Sequence, residues 1–244
     1  MSTSSRSTGQ ESRTTLHLIR LPLHLPRLLR FAFEHGIRQE DETLGYTLHA
    51  WLAALFGEAA PKPFRYFEAR QEVLAYAREE ASQLLARAEE RGQLAALAAL
   101  DASQVGSKPL LETWKAGQRL HIEVLTCPVS RRDDEEKDVF LRAVENLGEA
   151  APPRAEVYRQ WFLRQWKGVV TFESLHLLGM SARVRQLRRA RNGSNRLKIV
   201  ERPQAIFSGN VILREPERFA AFLSRGIGRH RAFGFGMVLL APPQ

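Results

Sequence analysis

The chain is poor in the groups that build several common classes of site. It has one cysteine, Cys127, among 244 residues. That excludes an intramolecular disulfide and a cysteine-based zinc site. Its seven histidines form no HxxxH or HExxH pair, so no helical metal motif is present. No Gly-Lys-Ser/Thr ending follows its glycines, and no apolar run approaches the length of a membrane span. The first fourteen residues hold no hydrophobic side chain after Met1. They lack the apolar stretch of a signal peptide and read as part of a disordered tail over 1–15. The expectation is a cytoplasmic protein without a membrane span, and the residues offer no metal-pair motif and no nucleotide-cofactor fingerprint.

Acidic residues are scarce at one end only. The formal net charge is +9, from 36 Lys+Arg against 27 Asp+Glu. Residues 151–244 carry 17 basic and 5 acidic side chains, whereas residues 1–150 carry 19 and 22. Thirty of the cations are Arg, whose planar fork matches phosphate oxygens. A polyanion, nucleic acid above all, is the expected partner of the C-terminal part.

Periodicity outlines the elements. Leu16 to Pro22 alternates as a strand, and Pro26 to His35 is helical up to Gly36. Leu44 to Phe56 is an amphipathic helix, with Leu44, Leu48, Trp51, Leu52 and Leu55 on one stripe. Phe64 to Phe67, Val73 to Tyr76, Val105 to Trp114 and Arg119 to Cys127 read as strands, and Glu79 to Leu100 as a helix. Asp133 to Glu136 reads as the solvated start of a helix. A helix over Arg154 to Lys167 precedes long strands at Val169 to Leu187 and Leu197 to Leu213, then a helix from Pro216 and a last strand, Met237 to Leu240. From Arg119 the order is strand, helix, strand, strand, helix, strand, a ferredoxin-like unit. The N-terminal half reads the same way. The fold expected is therefore α+β, with two tandem ferredoxin-like domains over 16–115 and 116–244.

Two segments concentrate the basic charge. Asn192-Gly193 is a two-residue turn signal between the two long strands. From Ser181 to Arg202 there are eight basic residues and one acid. Arg183, Arg185, Arg188, Arg189, Arg191, Arg196 and Lys198 load this hairpin for contact with a nucleic-acid groove. The second segment runs from Gly226 to Gly236. Its Gly226, Gly228, Gly234 and Gly236 allow close approach to another backbone, and Arg229 and Arg231 add charge. The segment follows a helix and precedes a strand, the wrong order for a dinucleotide fingerprint. It reads as a loop packed along a phosphate backbone. On the Leu44 helix, Tyr46 and His49 lie one turn apart, outside the apolar stripe. An imidazole there can exchange protons near neutral pH beside a phenol that donates a hydrogen bond. On residues alone, such a pair is more often structural than catalytic.

Several segments together resemble the CRISPR repeat endoribonucleases of the RAMP superfamily, CasE (Cse3) type, the RNA-processing subunits of the type I-E Cascade complex. They are Tyr46-Thr47-Leu48-His49 with Leu52 and Leu55-Phe56, the strand Gly117 to Pro128, Glu201-Arg202-Pro203-Gln204, and Phe207-Ser208-Gly209. The Gly226 to Gly236 segment running into Leu239-Leu240-Ala241-Pro242 completes the match. Pro26 to Thr43 departs from that pattern as an insertion. The resemblance implies tandem ferredoxin-like (RAMP/RRM-like) domains and metal-independent cleavage of CRISPR precursor RNA at a repeat stem-loop. It implies Tyr46 and His49 as the catalytic pair, with attack by the RNA's own 2′-OH giving 2′,3′-cyclic phosphate and 5′-OH ends. The implied partners are repeat RNA, as precursor and as mature crRNA, and other Cascade subunits. A non-catalytic RNA-binding subunit and a DNA-binding module are the competing readings. The latter would need an Arg-rich recognition helix, which the chain lacks.

Overall fold

The computed structural model of the chain describes residues 15–37, 41–111, 113–189 and 197–244. Its strands form two main antiparallel sheets. The first takes β1 (His17–Pro22), β2 (Phe64–Phe67), β3 (Glu72–Ala77) and β4 (Gly106–Pro109) in the order β2-β3-β1-β4. The second takes β5 (Arg119–Thr126), β8 (Val170–Phe172), β10 (Leu197–Leu213) and β11 (Val238–Ala241) in the order β11-β5-β10-β8, with β9 (His176–Arg189) also on β10. In both, the first and third strands of the unit lie centrally and the second and fourth flank them. That is the ferredoxin-like arrangement, present twice.

Helices cover one face of each sheet. α1 (Leu25–Glu34), α2 (Gly45–Phe56), α3 (Ala81–Arg91) and α4 (Leu94–Ala99) belong to the first unit. Their Leu28, Phe31, Leu48, Trp51, Leu55 and Leu84 close the first core over Ile19, Leu21 and Val73. α5 (Val139–Leu147), α6 (Arg154–Trp166) and α7 (Pro216–Arg225) belong to the second. There Tyr158, Phe162, Trp166 and Phe219 pack on Val124, Phe207 and Val211. Each unit lends a buried side chain to the other. Tyr76 of β3 enters the second core and donates to the Val238 carbonyl at 2.6 Å, while Leu187 of β9 enters the first. None of the helices described is long and apolar enough to cross a membrane.

Four sequence expectations change. The helix over Glu79 to Leu100 breaks at Gly92, where a Cβ would lie 2.4 Å from the Ala88 carbonyl oxygen. The strand over Val105 to Trp114 shortens to β4, because β1 begins at His17 and the register ends at His17–Pro109. The strand over Val169 to Leu187 divides into β8 and β9. The Ser174 carbonyl crosses at Gly209, where a Cβ would meet it at 2.1 Å. The acidic run at Asp133 is not a helix start. Asp133 and Asp134 both take positive φ, 48° and 64°, and turn a hairpin between β6 (Val129–Arg132) and β7 (Glu135–Asp138). This is the two-residue loop that suits tightly paired strands. The helix starts just beyond it, capped by Asp138 accepting from Phe140 N at 2.8 Å.

On the second sheet's open face, Ser208 Oγ, His121 and Asn210 line up at 2.8 and 2.9 Å in a triad-like row. Ser208 is buried between two paired strands, with its neighbours' N–H groups committed to the sheet. Asn210 instead holds the Gln244 carbonyl at 2.7 Å, so the row pins the C-terminal residues.

Candidate functional site

The site grows from the start of α2. Leu48, Trp51, Leu52 and Leu55 face the core, His49 is exposed, and Tyr46, one helical turn away with ring centroids 6.4 Å apart, is half-buried at the core's edge. The first N–H groups of a helix lack partners. Here buried Asp41 accepts from Tyr46 N at 2.8 Å, and Thr43 Oγ1 accepts from Gly45 N at 3.2 Å. The strap before the helix is tied to β9. Glu42 N donates to the Arg185 carbonyl, while Arg185 N and Nε both donate to the Glu42 carboxylate. The helix and the hairpin strand therefore hold one register.

The glycine-rich segment forms the facing wall. Phe233 lies 6.2 Å from Tyr46, nearly parallel, and 5.2 Å from His49, within aromatic contact range. The Arg188 guanidinium covers the same ring, 3.8 Å from its centroid. Gly45 makes this approach possible: a Cβ there would sit 2.6 Å from the Phe233 carbonyl oxygen. Gly45→Ala should therefore push the wall off the helix and cost about 1–3 kcal/mol, as overpacking does. A denaturant midpoint equal to that of the parent would show that the loop yields freely.

Behind the wall is a buried carboxylate. Glu136 is 10% exposed and accepts from Arg202 Nε at 2.8 Å, Arg229 Nε at 2.6 Å and His230 Nε2 at 2.7 Å. An ionised carboxylate only accepts, so His230 carries its proton on Nε2. Its Nδ1 is then an acceptor for Arg188 Nη2, 3.2 Å away. A chain of contacts thus runs from Glu136 through His230 and Arg188 to Phe233. Burial opposes ionisation of Glu136, but the hydrogen bonds from His230, Arg229 and Arg202 outweigh it and hold its pKa far below the usual range. Burial chiefly depresses His230, and it pushes Arg188 down to about 10. His49 keeps solvent access, yet its neighbours desolvate it and Lys62, Arg188 and Arg189 add positive potential, so its pKa falls below 6.5. The imidazole is neutral at pH 7 and ready to accept a proton. Among the described residues, no three His, Cys, Asp or Glu side chains group so as to hold a metal ion.

The other expected site residues divide. Arg183, Arg185, Arg189 and Lys198 are exposed on the hairpin, although Arg185 is engaged by Glu42. Arg188 turns inward to the wall, and Arg191 and Arg196 lie outside the described residues. Gly226 and Gly236 have their close backbone approach within the protein itself, and both are buried. A Cβ on Gly236 would be 2.1 Å from the Ile227 carbonyl oxygen, and one on Gly226 would be 2.9 Å from that of Gly236. Gly228 sits over the edge of Trp161 and Gly234 near Phe64. Sequence reasoning missed Asp41, Glu136, Arg202, His230 and Phe233. One signal for Glu136 was present: Arg131-Arg132 and Glu135-Glu136 are complementary pairs flanking Asp-Asp, and they face each other across the hairpin.

A family model described as CRISPR associated protein matches residues 16–242. No curated protein matches the chain. Among solved structures, the chain is similar to the CRISPR endoribonuclease Cse3 bound to a 19-nucleotide RNA, with 20% identity and a TM-score of 0.62 over 93% of this chain and all of that one. It is also similar to Thermus thermophilus Cse3 bound to an RNA representing a pre-cleavage complex (19%, TM-score 0.61, 93% and 100% covered). The third is the CRISPR-associated protein Cas6e from Escherichia coli str. K-12 (16%, TM-score 0.56, 93% and 99% covered). At these identities the likeness is one of fold, and it includes the doubled ferredoxin-like architecture.

Proposed function

Since the chain belongs to the family of CRISPR-associated proteins, we propose that it is a cytoplasmic, metal-independent endoribonuclease that cleaves CRISPR precursor RNA at the repeat stem-loop. One observation carries the reading: an accessible, neutral His49 beside Tyr46, faced by Phe233 and the Arg188 guanidinium, in the fold shared with RNA-bound endoribonucleases.

The chemistry follows from these groups. The nucleophile is the substrate's own 2′-OH, so the protein needs to move protons and stabilise charge. Neutral His49 accepts the 2′-OH proton as that oxygen attacks the adjacent phosphorus. The bond to the 5′-oxygen breaks, and that oxygen takes a proton from the His49 imidazolium, directly or through water, to leave as a 5′-OH, which returns His49 to its neutral form. Tyr46 donates a hydrogen bond to the reacting phosphate. The nearby cations Lys62, Arg188 and Arg189 favour the extra negative charge of the transition state. Arg188 Nε and Gln186 Nε2 are buried donors without a protein partner, the kind of group a phosphate oxygen satisfies. Exposed Arg183, Arg189 and Lys198 grip the duplex stem, and the mature crRNA is carried with other Cascade subunits.

The test is cleavage of a repeat stem-loop RNA in excess EDTA. The expected products end in a 2′,3′-cyclic phosphate and a 5′-OH, and a 2′-deoxy substitution at the scissile nucleotide blocks the cut. Binding without cleavage would instead leave an RNA-binding assembly subunit, and loss of activity in EDTA would overturn metal independence.

A further inference from the structure

The glycine-rich segment has a second face. While Phe233 meets α2, Arg229 and Arg231, with Arg225 at the end of α7, line an open groove of about 930 Å³ against β6, α5 and α6. Arg132, Arg142 and Arg164 line it from those elements, with Lys167 just beyond the end of α6. No Asp or Glu is among its lining residues. Two of the cations are answered from outside the groove, Arg229 by Glu136 and Arg142 by Glu135. Among the described residues, Arg132, Arg164, Lys167, Arg225 and Arg231 have no ion-pair partner. Arg231 is instead crowded by Arg225 and Arg229, which add to burial in depressing its pKa. Such a concentration of one sign costs self-repulsion unless an anion relieves it.

Shape and position say which anion. The cations are spread over four elements (β6, α5, α6 and α7) and a loop, too far apart for one small anion and suited to a repeating one. Arg231 and Phe233 are two residues apart, so the groove begins within about 7 Å of the wall that faces His49. Of the two aromatic lining residues, Trp161 is only 5% exposed and half-buried Phe222 has one ring face stacked on Trp166. Bases find no stacking platform there, and contact falls to phosphates.

We propose that this groove binds the sugar–phosphate backbone of single-stranded RNA flanking the stem-loop, independently of its sequence. The proposal rests on the endoribonuclease reading for the position of the stem-loop. It adds a second RNA track on the opposite face of the glycine-rich loop.

The test compares a stem-loop RNA, the same RNA with ten added uridines on either side, and a free twenty-uridine strand. Each is titrated against the full chain and against Arg164→Glu/Arg225→Glu, two exposed positions whose reversal leaves the cores untouched. On one side the flank should tighten binding about tenfold at low salt and steepen the salt dependence by about 0.7 per phosphate held. The variant should lose that gain while binding and cutting the bare stem-loop as the parent does. A flank that adds nothing on either side, or a variant that keeps the gain, overturns the groove. Displacement of the flank by polyglutamate at equal charge would also overturn it and point to an acidic protein. If the bare stem-loop is neither bound nor cut, the endoribonuclease reading falls by itself. Free uridine strand bound by the parent and lost in the variant would still uphold the groove.

Discussion

His49→Ala should lower the cleavage rate of the repeat RNA by about 10²–10⁴-fold, the usual worth of a positioned acid–base group. Stem-loop affinity should stay within about threefold. The side chain is exposed and outside both cores, so stability should stay within about 0.5 kcal/mol. The loss is then chemical, and single-turnover rates against binding titrations separate the two. The pH profile supplies a second check. His49 is held below its ordinary value, so its neutral form persists to lower pH than free imidazole. The parent's rate should be flat through pH 7 and fall on the acid side only below about 6.5. A variant that cuts at the parental rate would remove His49 from the chemistry. An acid limb beginning well above 6.5 would contradict the environment described for it.

How much of this was legible in the sequence depends on distance along the chain. α2 could be read because five apolar residues repeat within twelve positions, and the same count placed Tyr46 and His49 together outside the stripe. β10 and its pairing with β9 could be read from alternation, while the Asn192-Gly193 turn signal lies outside the described residues. The wall could not. Phe233, Arg188 and His49 come from three separate segments, and nothing local in any of them announces the others. The glycines showed the opposite problem. Of the four in the closing segment, Gly226 and Gly236 do approach a backbone while Gly228 and Gly234 meet side chains, and a sequence does not say whose backbone is met. Gly45 meets Phe233 and Gly236 meets Ile227, so the approach is internal. Asp133 to Glu136 was misread because acids suit both a helix start and a tight turn. The two positive φ values, which Asp tolerates, decided for the turn.

Glu136→Ala should be the most destabilising single change at the site. It strands two guanidinium groups and an imidazole that now share one buried carboxylate. Removing one member of a fully buried ion cluster costs about 3–5 kcal/mol, and because Arg229 is 43% exposed and regains water, this case lies at the lower end of that range. For a chain of this length that lowers the melting temperature by roughly 6–20 °C. The pH dependence gives the sign. Glu136 has a folded pKa below its unfolded value, so it binds its proton less readily when folded. Its contribution is fully present above about pH 4.3 and is lost as pH falls below that toward the folded pKa. The gap between parent and variant should therefore be widest near pH 7 and narrow at pH 3. His230 acts in the same direction over a higher window. Its folded pKa also lies below the unfolded one, so the parent should weaken as pH falls below about 6.5. Protonation there puts an N–H on Nδ1 against the Arg188 donor, so the contact that seats Arg188 on Phe233 is lost. Urea melts of both proteins at pH 7, 5.5 and 3 measure these changes. Equal stability at pH 7, or a gap that does not narrow with acid, would mean that the two guanidinium groups and the imidazole find other partners and that Glu136 does not organise the wall.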